Sequence, residues 1–181
     1  ETSLGKVRID SIALEEDAAR IIEKKGNKAV FRLDRLGIPL VEITTAPDIK
    51  NPLQCKEAAL FIGEILRSCK NIKRGIGTIR QDVNMSIARG ERIEIKGVQE
   101  PELIVKTIDS EILRQNKMID KGEKIEKQVR KANQDGSTEF LRPLPGAARM
   151  YPETDLSLLK ISKDLINDVR RNLPKLKSEL R

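Results

Sequence analysis

The sequence predicts an α+β fold: a mixed or antiparallel sheet with flanking helices over residues 1–157, then the start of a helical domain over 158–181. Three observations predict it. Residues 77–87 and 92–96 alternate apolar and polar side chains, the period of a half-buried strand. Two long segments, opening at Asn51-Pro52 and at Pro101, carry apolar residues at helical spacing. The tail from Ser162 repeats that spacing with Leu165, Ile166, Val169 and Leu173, then meets Pro174 and continues to Leu176 and Leu180.

The alternating pair is the most informative stretch. Ile79, Val83, Met85 and Ile87 fall on one face, with Gln81 the one polar residue among them. Thr78, Arg80, Asp82, Asn84 and Ser86 fall on the other, and Ile93 and Ile95 oppose Glu94 and Lys96. A one-residue slip would turn one strand over, so matching faces sets the register. The reading is Ile87 with Ile93 and Met85 with Ile95, around an odd-length loop at Arg89-Gly90-Glu91. It sets Asn84 beside Lys96 and Ser86 beside Glu94. Such a hairpin is either a sheet with one face in water or the floor of a site for phosphate and a cation.

The other elements follow in order. Residues 6–13 read as a strand. Residues 14–20, with Glu15, Glu16 and Asp17 in a row, read as a short helical or irregular piece. Gly26-Asn27 is a turn signal, and 29–33 a short strand. Residues 38–45 are largely apolar on both faces, which predicts a buried strand with Glu42 in its middle. Asn51 is a good N-cap and Pro52 suits the first helical position. Ala58, Phe61, Ile62, Ile65, Leu66 and Cys69 then mark a core-packing helix. Residues 71–77 form a basic, Gly-containing loop, with no Walker Lys-Ser/Thr after it. The helix opened by Pro101 carries Ile104, Ile108, Ile112 and Ile119 on one side and ends at Lys121-Gly122. Residues 123–131 read as a charged helical stub, 134–137 as a turn and 139–142 as a short strand. Residues 143–146 are too Pro-rich for either element.

Composition narrows the function classes. Lys+Arg 35 against Asp+Glu 28 gives a net charge of +7, which suits a polyanionic partner such as RNA. Aromatic content of 2% argues against a base-stacking platform. With no His, no His can serve as base, nucleophile or metal ligand. Cys55 and Cys69 lack a CxxC spacing and read as reduced thiols of a cytoplasmic protein. No apolar run reaches the roughly 20 residues of a membrane helix, and no signal peptide opens the chain.

Among the acids, Glu42 stands out because Val41 and Ile43 flank it. A buried carboxylate is costly unless it is paired or bound to a cation. Hard cations such as Mg²⁺ take oxygen ligands from one or two carboxylates and from substrate phosphates. Two Glu from different segments suit that chemistry, and the lack of His suits magnesium better than zinc. A buried ion pair is the competing reading.

Three motifs carry a family resemblance: residues 14–18 (Leu-Glu-Glu-Asp-Ala), residues 37–43 (Gly-Ile-Pro-Leu-Val-Glu-Ile) with Ala46-Pro47-Asp48, and residues 77–84 (Gly-Thr-Ile-Arg-Gln-Asp-Val-Asn). They resemble the catalytic cradle of the tRNA-dependent amidotransferase B/E family. Residues 142–155, from Arg142-Pro143 to Thr154-Asp155, resemble its archaeal E branch. The resemblance implies ATP-dependent amidation of glutamate esterified to tRNA(Gln), through a γ-phosphoryl ester that ammonia displaces. It implies ATP and Mg²⁺ as cofactors, and an asparaginase-like glutaminase D subunit as the ammonia source. Glu16 and Glu42 match acidic metal ligands of the family, with Glu15 a further candidate. Arg80, Asp82, Asn84, Glu94 and Lys96 take catalytic roles by inference. Arg80, Lys96 and Arg149 are the candidates for nucleotide binding. The family's upstream Glu and His motif, the inserted domain expected near Lys121-Gly122 and the tRNA-gripping domains are missing. The chain is therefore expected to be a truncated cradle, inactive alone. The rival reading is a non-catalytic basic scaffold that docks tRNA or the glutaminase.

Overall fold

The computed structural model describes residues 1–144 and 160–180. It is α+β, and the chain separates into two compact units. The smaller comprises Val7–Asp48 and Ala148–Asn172; the larger comprises Glu1–Lys6, Ile49–Ala147 and Leu173–Arg181.

In the smaller unit, β1 (Ile9–Glu16) pairs antiparallel with β4 (Pro39–Thr45), and β2 (Arg20–Lys25) pairs with β3 (Lys28–Arg32). The second pair turns at Gly26-Asn27, as the sequence predicts. Two expectations are corrected. Residues 14–16 are not helical: they continue β1, because Leu14, Glu15 and Glu16 pair with Val41, Leu40 and Pro39. β4 is not a buried strand either. It belongs to a two-stranded ribbon, and Val41 and Glu42 are both exposed. The turn into β4 is tied to the end of β1: Asp17 N–H donates to Ile38 O at 2.9 Å, and Gly37 N–H to Asp17 O at 3.1 Å. The Arg35 guanidinium pairs with the Asp17 carboxylate. At the other end, Arg8 grips Asp48 with its backbone N–H and with two guanidinium bonds of 2.9 and 2.8 Å.

The larger unit holds a four-stranded sheet in the order β5 (Val83–Met85), β6 (Ile93–Lys96), β7 (Gln128–Ala132), β8 (Thr138–Pro143). The β6–β7 pair is parallel and the others antiparallel. A parallel pair needs a crossover, and α2 (Pro101–Asp120) supplies it. The other long helix, α1 (Pro52–Ser68), starts as its sequence dictates. The Asn51 side chain accepts from Gln54 N–H at 2.9 Å, with Pro52 behind it. In the smaller unit α3 (Lys163–Arg171) is capped by Ser162 in the same manner; in the larger a short 3₁₀ turn spans Lys177–Leu180.

Val83, Ile93 and Ile95 from the sheet meet Ile104 and Ile108 of α2, with Val98 and Ala132 completing the core. Cys55 and Ala59 of α1 pack against it. Each fully buried Ile contributes about 1.5–3 kcal/mol. Burial pushes the Cys55 thiol up to about 11, so it serves as a packing group. The β7–β8 turn passes so close to α2 that a Cβ on Gly136 would lie 2.8 Å from Lys106 Cβ, and its φ of +90° independently requires glycine.

The segment 123–131 is the third correction. Its second half is β7, and Ile125 and Val129 are buried. The charged residue that hides this strand from the sequence is Arg130, which points into the interior. It meets Glu111 of α2, a fully buried carboxylate. Glu111 takes Arg114 Nη2 at 2.6 Å, Thr138 Oγ1 at 2.8 Å and Gln115 Nε2 at 3.2 Å, with Arg130 Nε at 3.4 Å. Burial pushes the Glu111 carboxyl up, but the bonds from Arg114 and Thr138 outweigh it, so it lies below the usual carboxylate range.

Breaking one side of such a buried pair costs about 3–5 kcal/mol. Glu111→Ala is therefore expected to lower unfolding free energy by that amount in a urea titration. A folded-state pKa below the unfolded value means stability held above about pH 4.3 and lost as pH falls below it. The variant's acid limb should be correspondingly flatter. A urea midpoint within error of wild type would contradict this role.

Candidate functional site

The sheet has two unlike faces. One lies under the helices. The other carries Asn84 on β5, Glu94 and Lys96 on β6, and Lys131 and Glu139 on β7 and β8, by ladder register. The predicted division of the hairpin into an apolar and a polar face therefore holds for β5 and β6. The predicted register does not. Val83 pairs with Ile95, Asn84 with Glu94 and Met85 with Ile93, a displacement of two residues that preserves every face. Ile87 and Ser86 leave the ladder, and residues 78–82 lie outside it too. The cause is in the connecting loop. Gly90 N–H closes a turn on Ile87 O at 3.0 Å. Gln115 of α2 then accepts from Glu91 N–H at 3.2 Å and packs so tightly that a Cβ on Gly90 would lie 2.2 Å from its Oε1.

The displaced register sets Lys96 opposite Asp82 instead of Asn84. Lys96 Nζ donates to Asp82 Oδ2 at 2.7 Å and lies 2.7 Å from Glu94 Oε1. Partial burial lowers the Lys96 pKa, but the bonds to Asp82 and Glu94 prevail, and its net shift is upward. Asn84 Oδ1 accepts two bonds from the Arg92 guanidinium, at 3.0 and 3.3 Å. Lys131 Nζ lies 3.1 Å from Glu139 Oε1. The sequence reading misses Arg92, Lys131 and Glu139. Arg92 sits just outside the alternating run, and the other two become visible only once β7 is known to be a strand. Arg80 lies in the irregular segment before β5 and is exposed. Arg149 lies outside the described residues.

The three acidic candidates of the smaller unit are divided by its ribbon. Glu42 pairs with Ala13, and Glu15 with Leu40, so Glu15 and Glu42 share a face. Glu16 pairs with Pro39 and points to the opposite face, where its Oε1 would lie 3.4 Å from a Cβ on Gly37. Glu42 is exposed and accepts a long 3.4 Å bond from Thr44 Oγ1. Glu42 is therefore not a desolvated carboxylate in need of a cation. Among the described residues, no group of three or more Cys, Asp or Glu is placed to hold a metal ion. No helix among them is long and apolar enough to cross a membrane.

The doubly paired Lys96 ammonium gives a direct check on this geometry. Lys96 is expected to titrate above an ordinary lysine, and Asp82→Asn to bring its midpoint down. Side-chain ¹³C/¹⁵N NMR of Lys96 across alkaline pH reads both. Equal midpoints in wild type and variant would refute the Asp82 contact in solution.

Residues 1–167 match the family described as the GatB/GatE catalytic domain. Among curated relatives, the E subunit of glutamyl-tRNA(Gln) amidotransferase from Methanocaldococcus jannaschii is 33% identical, covering 99% of this chain and 50% of its own length. The protein of the same name from Pyrococcus abyssi is 32% identical, covering 97% and 49%. That from Methanosarcina acetivorans is 60% identical over 115 residues, or 64% of this chain and 18% of the relative. The chain thus spans about half the length of the relatives that match it throughout. The first alignment runs over 314 positions against 181 residues here, so the relative carries a long stretch without counterpart inside this chain. With a match over most of its length and relatives above 30% identity along nearly all of it, the chain belongs to the GatB/GatE catalytic domain family.

Proposed function

We propose that this chain supplies the phosphoryl-transfer surface of a tRNA-dependent amidotransferase. The reaction converts glutamate esterified to tRNA(Gln) into glutamine. The γ-carboxylate oxygen attacks the terminal phosphorus of ATP, and ADP leaves. Ammonia then adds to the acyl carbon, and the C–O bond to phosphate breaks as the amide forms. An asparaginase-like glutaminase partner is the proposed source of the ammonia. The observation that carries the reading is the Asp82–Lys96–Glu94 constellation on the polar sheet face of a chain in this family.

Phosphoryl transfer asks a protein mainly for positioning and charge neutralisation. Lys96 is the point charge suited to phosphate oxygens, and Arg80 a second cation on the same chain segment as Asp82. Asp82 and Glu94 hold the Lys96 ammonium between them, so its position is fixed before any ligand arrives. Asn84, clamped by Arg92, offers an amide to the same face.

Magnesium would neutralise phosphate charge and fix phosphate geometry. Such an ion takes one or two carboxylates, and within the smaller unit Glu15 and Glu42, on one face of its ribbon, are the candidates. Glu16, on the other face, would serve a different contact.

Titrating ATP into this chain with and without Mg²⁺ tests the proposal. Binding is expected to need Mg²⁺, and Lys96→Met to weaken it by about tenfold or more, the worth of one hydrogen bond to a charged group. Asp82→Asn should weaken it less. ATP binding indifferent to both variants would leave the basic tRNA-docking scaffold as the better reading.

A further inference from the structure

The β6–β7 register contains an arrangement that the catalytic reading does not use. Lys96 and Lys131 are direct partners in the parallel ladder, so both side chains rise from one face of adjacent strands. Adjacent strands lie about 4.8 Å apart. Continuing the row across the sheet, Asp82 lies outside Lys96, and Glu139 pairs with Lys131 from β8. The order is acid, lysine, lysine, acid. Glu94 neighbours Lys96 along its own strand and does not enter the row.

Like charges directly opposite one another on a sheet are destabilising. An alternating order would have placed a carboxylate between the lysines and removed the repulsion. Here the carboxylates stand at the two ends and draw the ammonium groups from outside. Among the described residues, the two side chains that meet directly across the β6–β7 seam at this level are both lysines, and Glu94 reaches Lys96 only along its own strand. Both helices of this unit pack on the other face, and Lys131 is half exposed. A multiply charged anion seated over the seam would bring phosphate oxygens to both lysines at once.

We infer that Lys131 is a second phosphate-binding residue, acting with Lys96 as a two-lysine clamp for a polyphosphate group such as the triphosphate of a nucleotide. The inference rests on the functional reading above and extends it to β7. Lys131 has no role in the core: Arg130 and Ala132 on either side point inward while Lys131 points out.

The test is binding of inorganic triphosphate, and separately of a short single-stranded RNA, to the 181-residue chain at fixed ionic strength. Lys131→Gln is expected to weaken triphosphate by about tenfold, and Lys131→Arg to keep most of the affinity. Lys124→Gln makes the same change in net charge at an exposed site outside the sheet, and should weaken binding less than about twofold. The double variant Lys131→Gln/Glu139→Gln leaves no lone carboxylate and should behave as Lys131→Gln does, with an unchanged melting temperature. If Lys131→Gln binds triphosphate like wild type while Lys96→Gln is weakened, the clamp is refuted and the phosphoryl-transfer reading stands. If wild type does not bind triphosphate, or neither lysine matters, both fall. A loss confined to RNA would assign the seam to phosphodiesters and overturn the inference.

Discussion

A single buried carboxylate governs how the larger unit is assembled. Glu111 sits on α2 with no exposure, where an unpaired charge would be prohibitive. Its partners come from its own helix (Arg114, Gln115), from β7 (Arg130) and from β8 (Thr138). Arg130 in turn donates to Thr138 Oγ1 and Thr138 O, at 2.7 and 2.6 Å. The helix cannot bury Glu111 unless both strands arrive in this register. A hydrophobic replacement could be as stable. What the network adds is selectivity among registers, because an apolar contact tolerates sliding and the directional bond from Thr138 Oγ1 to Glu111 at 2.8 Å does not. Burial and the nearby Arg114 charge both push the Arg130 pKa down, and Glu111 and Glu139 offset them only in part.

The consequences pass through the sheet to its other face. A strand has only two sides, so whatever holds Ile93 and Ile95 inward holds Glu94 and Lys96 outward. Gln115 extends the same control to the β5–β6 connection. It donates to Glu111 and to Glu91 O, and it accepts from Glu91 N–H. The turn between the two strands, and with it the residue just before β5 that faces Lys96, is held from the helix side. The polar contacts Asp82–Lys96 and Lys131–Glu139 are thus positioned by groups on the buried side that never touch them.

How far this is legible in the sequence depends on where the deciding contacts lie. Local signals read well: Asn51-Pro52, Pro101, Gly122 and Ser162 mark helix ends by capping and proline chemistry within a few residues. The two-sidedness of β5 and β6 is legible because it follows from a period of two. Their register is not, because a two-residue displacement leaves every face unchanged and is decided by Gln115, far off in sequence. β7 is hidden because the inward-facing Arg130 breaks the apolar pattern, and only its meeting with Glu111 makes it a core residue. β4 fails in the opposite sense. Its apolar composition suggests burial, yet its ribbon has two strands, and composition alone cannot count the layers above a strand.

The position of the candidate groups also bears on what kind of site this is. Many phosphate sites use a Gly-rich loop or a helix N-terminus, where backbone N–H groups do the binding. Here the cations Lys96 and Lys131 stand on paired strands, and each is already held by a carboxylate. Strands packed on a core hold a side chain more closely than a loop does. The carboxylates lower the net charge of the face, so a chain of +7 need not present bare cations to every polyanion it meets. A ligand that displaces them must offer several phosphate oxygens at the spacing of the strands. A terminal polyphosphate can do so from one end of a molecule, whereas an RNA backbone presents its charges singly along its length. On the two-lysine proposal the sheet would thus select the compact anion over the extended one, although net charge alone would favour the reverse.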